Sequence, residues 1–372
     1  MDLDYTKEQN MLRKSVAEFL AKECPFDDVR DTEDSESGYS AALWKKMAQL
    51  GWMELYFPEA YGGLGDPFGD VCIIMEEMGK KAFPSPFFST VIQCGMVLLE
   101  GGSEKQKKDL LPKIASGKLI MSLAQLEEEG SYRATGINMP ARRSDDGYVL
   151  NGIKMFAMDA NVADKLIVAA RVGDQGVTLF LVDAKNPGIS CTKMDAVGKD
   201  NLCRLIFKDV KVGEADLVGG VGEGWAILEK MAKKATLAKC AEMLGGCAES
   251  IEMTKVYAKQ REQYSTPIGG FQAIQHYMAD MQIAFDTSLY YLHKVVWMTD
   301  EGMDTSKELS ALKAQVNEKF KFITERAVQI HGGIGTTREF NIGLFYRRAK
   351  AFEYVMGDTD YHYARLAEAL EL

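Results

Sequence analysis

The sequence has no long apolar segment and no excess of basic charge. Its longest apolar runs, such as the one from Val91 to Leu99, fall short of the roughly 20 residues that span a bilayer, so no membrane span is expected. The formal net charge is -10, from 44 basic and 54 acidic side chains, and this field does not attract nucleic acid. The first stretch, MDLDYTKEQNMLRKSV, is polar and unlike a secretory signal. We therefore expect a cytoplasmic protein without a nucleic-acid partner.

Cysteine and histidine are few and scattered. The seven cysteines form no CxxC pair, and the four histidines never stand at metal-ligand spacing such as HExxH. The sequence therefore predicts buried free thiols, with neither a disulfide framework nor a metal site.

The common nucleotide-binding motifs are also missing. The stretch GGVGEGW around Gly220 precedes a helical pattern but follows no βαβ unit, and GxxxxGK[ST] does not occur. A nucleotide would therefore have to be held by another architecture.

Three regions differ in the period of their apolar residues. In residues 1–118 the apolar residues recur every three to four positions, which predicts an N-terminal helical domain. Residues 119–218 alternate with period 2 in short segments such as GYVLNGIKMFAM and GVTLFLVDA, which is typical of a small antiparallel barrel or sandwich. Residues 219–372 return to the helical period in long segments that favour an antiparallel bundle. The fold class predicted is α+β.

Two segments of the C-terminal region carry residues suited to ligand contacts. The segment KQREQYSTPIGGFQAIQ holds Arg261 at the end of one helix and Gln272 at the start of the next, and arginine suits bidentate phosphate contacts. The segment QIHGGIGTT holds adjacent glycines, which let a backbone approach a ligand closely. A solvated charge and a helix C-cap are the structural alternatives for these two segments.

Together these features resemble the acyl-CoA dehydrogenase superfamily over essentially the whole chain. REQY followed by FQAIQHYMADM is similar to the family's flavin segment, and AVQIHGGIGTTREFNIGLFYRRAK and YVLNGIKMFAM are similar to two further family segments. The resemblance implies an N-terminal helical domain, a central antiparallel β-barrel or sandwich and a C-terminal four-helix bundle. It also implies FAD as the cofactor and a tetramer as the usual assembly.

The resemblance carries over to individual residues. It implies that one group contacts the diphosphate and adenine parts of FAD, namely Arg261, Tyr264 and Gln272. It implies that a second group forms the opposite wall from an adjacent subunit, namely Gln329, Gly332 and Gly333.

The segments that face the flavin ring depart from the family pattern. QLEEEGSY replaces the usual T-E-P-x-x-G-S-D and leaves Gln125 as a flavin-facing polar group and Ser131 as a contact on the CoA side. Phe156, Ala157 and Met158 replace the usual W-I-T triplet, so an aromatic ring is kept at Phe156 while the hydroxyl group expected near flavin N5 is lost at Met158.

The expected catalytic carboxylate is also absent. The family's glutamate before glycine is replaced by Met356, and a thioether cannot accept a proton. Some members place the glutamate on the first long helix of the bundle, where this chain has Ala235. The remaining acids near these positions are interpreted as structural, solvated or, for Asp358, a flavin ribose contact; they are Glu242, Glu353, Asp358 and Asp360. The catalytic base is left unassigned.

Several functions remain open on this reading. The first is an FAD-dependent acyl-CoA dehydrogenase, or the reverse reductase, with a relocated base and with electrons passed to an electron-transferring flavoprotein. The second is a non-catalytic subunit of a heteromeric acyl-CoA dehydrogenase, so that the assembly is a homotetramer or a heterotetramer. A desulfinase of the same superfamily and a plain helical scaffold that binds neither flavin nor CoA are the further alternatives.

Overall fold

The N-terminal region is helical, as expected. The computed structural model of the protein describes residues 3–372. Helix α1 is capped by Thr6, whose hydroxyl accepts from the N–H of Gln9 while the Gln9 side chain accepts from the Thr6 N–H, and the same capping box opens α6. A π-helical segment, Phe88–Cys94, leads directly into α5. The helices are α1 (Lys7–Glu23), α2 (Phe26–Asp34), α3 (Ala41–Gln49), α4 (Phe68–Lys80), α5 (Gly95–Gly101) and α6 (Glu104–Ala115).

The middle region folds into two four-stranded sheets. One sheet has the order β1-β4-β5-β8 and the other β2-β3-β7-β6. All of the pairings in these two sheets are antiparallel except that of β1 with β4, which is parallel. The strands are β1 (Met121–Ala124), β2 (Ala141–Ser144), β3 (Gly147–Met158), β4 (Lys165–Arg171), β5 (Val177–Asp183), β6 (Ile189–Lys193), β7 (Leu202–Gly213) and β8 (Leu217–Val218).

The C-terminal region is again helical. Helix α9 packs against α7, α8, α10 and α11, and these helices form the bundle that was expected for this region. A two-stranded hairpin of β9 and β10 joins α7 to α8. The elements are α7 (Gly224–Gln260), β9 (Glu262–Gln263), β10 (Thr266–Pro267), α8 (Gln272–Asp300), α9 (Ser306–His331), α10 (Ile342–Phe352) and α11 (Thr359–Ala369).

Helix α4 joins the two helical regions through a close crossing with α7. A Cβ atom added at Gly79 would lie 1.9 Å from the carbonyl oxygen of Glu242, and one added at Gly245 would lie 1.9 Å from that of Glu76. Only glycine therefore permits this backbone approach. The crossing fixes α7, which lines the site described below, against the N-terminal helices.

No helix within residues 3–372 combines the length and the apolar character needed to cross a bilayer.

Candidate functional site

A large cleft lies between the middle region and the loop that joins α10 to α11. It has a volume of about 820 Å³ and is called the strand cleft here. One wall comes from the end of β3 and the start of β7, and the other from Tyr354 to Asp358. Phe156 projects from a β-bulge of β3 with φ +58, and such a bulge redirects the side chain. The residues of the strand cleft used below are Ser131, Tyr132, Phe156, Met158, Val355, Gly357, Asp358 and Tyr361.

A second cavity of about 410 Å³ lies between α7, the start of α9 and α11, and is called the helix cavity. Gln125, Thr236, Met356 and His362 line it, and Tyr132 and Tyr361 line both spaces. Since Val355 and Gly357 line the strand cleft while Met356 lines the helix cavity, the turn at residues 355–357 lies at the boundary between the two adjoining spaces.

The turn at Met356 has an unusual backbone that buried groups hold in place. Met356 and Gly357 have φ values of +64 and +105. The ammonium group of Lys313 donates to the carbonyl oxygens of Phe352 and Gly357, each at 3.2 Å, and to that of Glu353 at 3.3 Å. Burial lowers the pKa of Lys313 to about 8.

The Met356 side chain occupies the place where the family's base was expected. It is buried, and the amide Nε2 of Gln93 lies 3.7 Å from its sulfur. His362 contacts the same turn, because its Nε2 atom lies 3.0 Å from the carbonyl oxygen of Met356. Burial is the main cause that lowers the pKa of His362 to about 4, so the imidazole is neutral at pH 7.

The carboxylates near the turn are engaged elsewhere. The Asp358 carboxylate accepts from the N–H of Tyr361 at 2.8 Å and so caps α11. Glu242 forms a buried ion pair with Lys239, and Glu353 lies 3.9 Å from Lys321. In the helix cavity, Glu229 lies 3.6 Å from Arg365. Ala235 is buried in α7, and its neighbour Thr236 lines the helix cavity.

Gln125 is positioned through its backbone. Its carbonyl oxygen accepts from the buried ammonium group of Lys154 at 3.0 Å, and the same ammonium lies 2.7 Å from Glu127. Burial lowers the pKa of Lys154 to about 8. These bonds fix the start of the segment QLEEEGSY beside the two spaces.

The structure brings together part of the site predicted from the sequence. Ser131, Phe156, Met158 and Asp358 meet in the strand cleft, and Gln125 lies in the helix cavity. The other predicted residues line neither space and stand exposed around the end of α7 and the end of α9; they are Arg261, Tyr264, Gln272, Gln329, Gly332 and Gly333. Tyr257 and His331 stack at 4.4 Å between their ring centres and hold these two helix ends together.

Neither Lys313 nor His362 was predicted from the sequence to belong to the site. The sequence does contain a signal for Lys313. This lysine and Asn317 lie one helical turn apart on a face where apolar residues are expected, because the neighbours on that face are apolar: Leu312, Val316 and Phe320. His362 carried no such signal, because its contact with Met356 depends on the turn that precedes α11.

The chain matches the three sequence profiles of one family along nearly its whole length. The acyl-CoA dehydrogenase N-terminal domain matches residues 6–118, the middle domain residues 122–210 and the C-terminal domain residues 222–371.

Individual relatives agree with this assignment. The chain is 28% identical to an acryloyl-CoA reductase (NADH) from Anaerotignum propionicum, covering 97% of this chain and 94% of the relative. It is 31% identical to a mitochondrial 2-methylacyl-CoA dehydrogenase from Solanum tuberosum, covering 96% and 89%.

Two solved structures share the fold. An acyl-CoA dehydrogenase from Geobacillus kaustophilus superposes with a TM-score of 0.93 at 26% identity, covering 99% of each chain. A chain of the ChsE4-ChsE5 complex from Mycobacterium tuberculosis superposes with a TM-score of 0.91 at 25% identity, covering 100% of this chain and 99% of that one. The chain belongs to the acyl-CoA dehydrogenase family, whose members are FAD-containing oxidoreductases that act on CoA thioesters.

Proposed function

We propose that this protein transfers hydrogen between FAD and the Cα–Cβ bond of a short or branched acyl-CoA thioester. The observation that carries the proposal is the pair of adjoining spaces on either side of the Met356 turn. A cleft of 820 Å³ falls within the range of cofactor sites, and the neighbouring cavity leaves room for a short acyl group.

The walls of the strand cleft fit a flat, partly apolar ring system. Phe156, Met158 and Val355 supply apolar surface, and Ser131 and Asp358 supply polar atoms at its edge. These residues would hold the isoalloxazine ring and the adjoining ribityl chain. When bound, FAD supplies the two-electron acceptor or donor for the hydrogen at the β-carbon.

The diphosphate part of FAD requires a second subunit in this proposal. Arg261 and Gln272 are exposed, and Cβ atoms added at Gly332 or Gly333 would meet nothing within 4 Å. An exposed arginine beside open glycine backbone suits a phosphate group that an adjacent subunit helps to enclose. The same requirement supports an oligomer, which we expect to be a tetramer.

The helix cavity suits the thioester end of the substrate. Three cations line it, and each has an acidic neighbour: Lys230 lies 3.4 Å from Glu100, Lys233 lies 2.9 Å from Asp304, and Arg365 lies 3.6 Å from Glu229. The two lysine ion pairs are partly exposed, so replacing the carboxylate partner of Lys230 or Lys233 by a CoA phosphate costs little. The acryloyl and 2-methylacyl groups in the names of the relatives favour a short or branched acyl group. We expect an electron-transferring flavoprotein as the redox partner in the cytoplasm.

The test is spectroscopic. The protein is purified without added flavin, its absorbance is recorded from about 300 to 550 nm, and it is titrated anaerobically with propionyl-CoA, isovaleryl-CoA and 3-phenylpropionyl-CoA. We expect stoichiometric FAD that one of these thioesters bleaches. The variant R261A should bind FAD about 10- to 100-fold more weakly, as expected for loss of a charge-assisted phosphate contact. The variant K259A, which removes an exposed cation two residues earlier, should bind FAD normally.

A colourless protein that takes up no added FAD would contradict the proposal. A yellow protein that no saturated thioester bleaches, but that becomes oxidised from the reduced state by an enoyl-CoA, would identify the reductive direction.

A non-catalytic subunit of a heteromeric enzyme is the second candidate. Two observations support it: Met356 stands at the expected position of the base, and the nearby carboxylates form hydrogen bonds or ion pairs with other groups of the chain. It predicts that the isolated chain gains FAD or activity only when a homologous chain is co-expressed. A homotetramer with one FAD per chain and full activity would rule it out.

A further inference from the structure

We propose that the imidazole of His362 exchanges the α-proton of the acyl thioester in place of the missing carboxylate. This inference rests on the proposed function, because it assigns the proton-transfer half of that reaction to a residue of this chain. His362 lines the helix cavity together with Met356. The family motifs in the sequence did not predict a role for this residue.

The hydrogen bonds of His362 define its tautomer. Its Nε2 atom lies 3.0 Å from the carbonyl oxygen of Met356, and a carbonyl oxygen can only accept a hydrogen bond. Nε2 therefore carries the hydrogen, and in the neutral ring Nδ1 carries the lone pair. Nδ1 is buried and has no hydrogen-bond partner among residues 3–372. An unpartnered buried acceptor is costly unless a ligand or a reaction uses it.

The other polar groups at the helix cavity are less suited to accept a proton from carbon. The side chain of Gln125 is an amide, which is not a base at neutral pH, and the same holds for Gln93 beside the Met356 sulfur. Burial raises the pKa of Tyr132 to about 12, so its hydroxyl stays protonated. The hydroxyl of Tyr361 donates to the carbonyl oxygen of Tyr132 at 3.3 Å. Glu229 is held by Arg365 at 3.6 Å.

The charges around His362 keep it neutral until substrate chemistry begins. Burial is the largest cause that opposes its protonation, Lys313 of α9 and Arg365 of α11 act in the same direction, and Asp358 at the start of α11 and the Met356 carbonyl favour protonation. A negative charge that forms on the substrate beside the ring would favour the imidazolium form. The base is thus present in its active form at pH 7, and its protonated form is stabilised only during the reaction.

The step balances without an oxidant. The bond between Cα and its hydrogen breaks, and the proton moves to Nδ1 of His362, which becomes imidazolium. The electron pair of that bond stays on the substrate as an enolate, with its charge spread onto the thioester oxygen. Reversal returns the proton to Cα, so the residue serves either direction of the proposed reaction.

The experiment measures exchange of the α-hydrogen with deuterium oxide by mass spectrometry. Holoenzyme is incubated anaerobically with propionyl-CoA, isovaleryl-CoA or 3-phenylpropionyl-CoA. The variant H362Q keeps an N–H donor that can reach the Met356 carbonyl but removes the proton acceptor, and exchange should fall at least about 100-fold. The control H293Q alters a half-buried histidine, whose Nε2 atom lies 3.1 Å from the hydroxyl of Tyr5, and should exchange at the wild-type rate.

A second readout does not depend on turnover. In holoenzyme labelled with 15N-histidine, the His362 ring should be neutral with hydrogen on Nε2 at pH 7, and its Nδ1 resonance should move when a thioester is added. The double variant with H362Q and M356E should recover exchange to within about tenfold of wild type, because a carboxylate then stands at the turn.

The outcomes separate the two proposals. Loss of exchange in H362Q, with native FAD content and with recovery by M356E, supports the role of His362. Exchange in H362Q within threefold of wild type, or an Nδ1 atom that carries hydrogen at pH 7, overturns it even if the flavin is bleached normally. A wild-type protein that neither binds FAD nor exchanges the α-hydrogen overturns the proposed function together with this inference.

Discussion

The ammonium group of Lys313 lies 3.2 Å from the carbonyl oxygen of Gly357 and joins the middle of α9 to the turn that carries Met356. The same group donates to the carbonyl oxygens of Phe352 and Glu353 at the end of α10, and that of Phe352 also accepts from the N–H of Val355 at 3.2 Å. A single buried cation therefore ends one helix and holds the turn between the two spaces of the site.

The variant K313M should destabilise the protein by about 3–5 kcal/mol, because it removes a buried donor shared by the carbonyl oxygens of Phe352, Glu353 and Gly357 while keeping most of the side-chain volume. Chemical denaturation followed by circular dichroism measures the change. The variant K307M alters an exposed lysine at the start of the same helix and should stay within about 0.5 kcal/mol of wild type. Equal stability of K313M and K307M would contradict the role assigned to the buried cation.

Gly357 should not tolerate a side chain. Its φ is +105, and an added Cβ atom would lie 2.4 Å from Cδ1 of Tyr361. G357A should therefore cost more than G302A, because Gly302 has a φ of +69 within the left-handed region that other residues can adopt and no atom within 4 Å of the added Cβ. We expect G302A to cost about 1 kcal/mol and G357A about 2 kcal/mol more, with loss of flavin absorbance only in G357A. Thermal unfolding and the FAD content of both variants provide the measurement, and equal losses would show that the Tyr361 contact is unimportant.

The sequence predicted the elements of the middle region closely. The stretch GYVLNGIKMFAM coincides with β3, where the alternation of burial holds from Tyr148 to Asn151 and register shifts interrupt it farther along the strand. The parallel pairing of β1 with β4 was not predicted, because a strand's own pattern does not name its partner. The helical, β and helical order is confirmed, while the boundaries at residues 118 and 218 stay predictions.

The sequence predicted a site residue only where that residue belongs to a motif within one continuous segment. Phe156 and Met158 follow from a recognisable strand motif, and they do meet Ser131 and Asp358 in one cleft. Lys313 is separated from Gly357 by 44 positions, and its contact with the turn depends on how α9 packs against the end of α10. The six exposed residues near the ends of α7 and α9 stay predictions, because their role requires a second subunit.

A buried ion-pair network joins α2 to α10 and should be sensitive to the loss of one acid. Glu33 accepts from Arg348 at 2.8 Å and from Arg347 at 3.2 Å, and Arg348 also lies 3.4 Å from Asp200. E33A should destabilise the protein by about 3–5 kcal/mol, because it removes the nearest acceptor of the buried Arg348 guanidinium group, which then keeps only the Ala82 carbonyl oxygen at 3.3 Å and Asp200 at 3.4 Å. D31A changes an exposed acid of the same helix and should have little effect. Urea denaturation compares the two variants, and a loss below about 1 kcal/mol in E33A would contradict this account.

The free energy of unfolding below about pH 6.5 should depend on the protonation of His362. An unfolded histidine titrates near pH 6.5, whereas the folded His362 titrates at about 4, so the unfolded chain binds more protons between these values. Its contribution is therefore constant above about pH 6.5, and the free energy of unfolding falls as the pH is lowered from 6.5 toward 4. The full difference between the two pKa values corresponds to a loss of about 3 kcal/mol in the free energy of unfolding.

H362Q should remove that dependence. Urea denaturation of wild type and H362Q at intervals from pH 7.5 to 4.5 should show the variant gaining stability relative to wild type as the pH falls, whatever their difference at pH 7. Burial also lowers the pKa values of His293 and His331, but both residues are present in the two proteins and cancel in the comparison. Parallel profiles would mean that the folded His362 accepts a proton as readily as the unfolded one, and a ring that ionises so easily would not be the neutral base that the buried Nδ1 atom indicates.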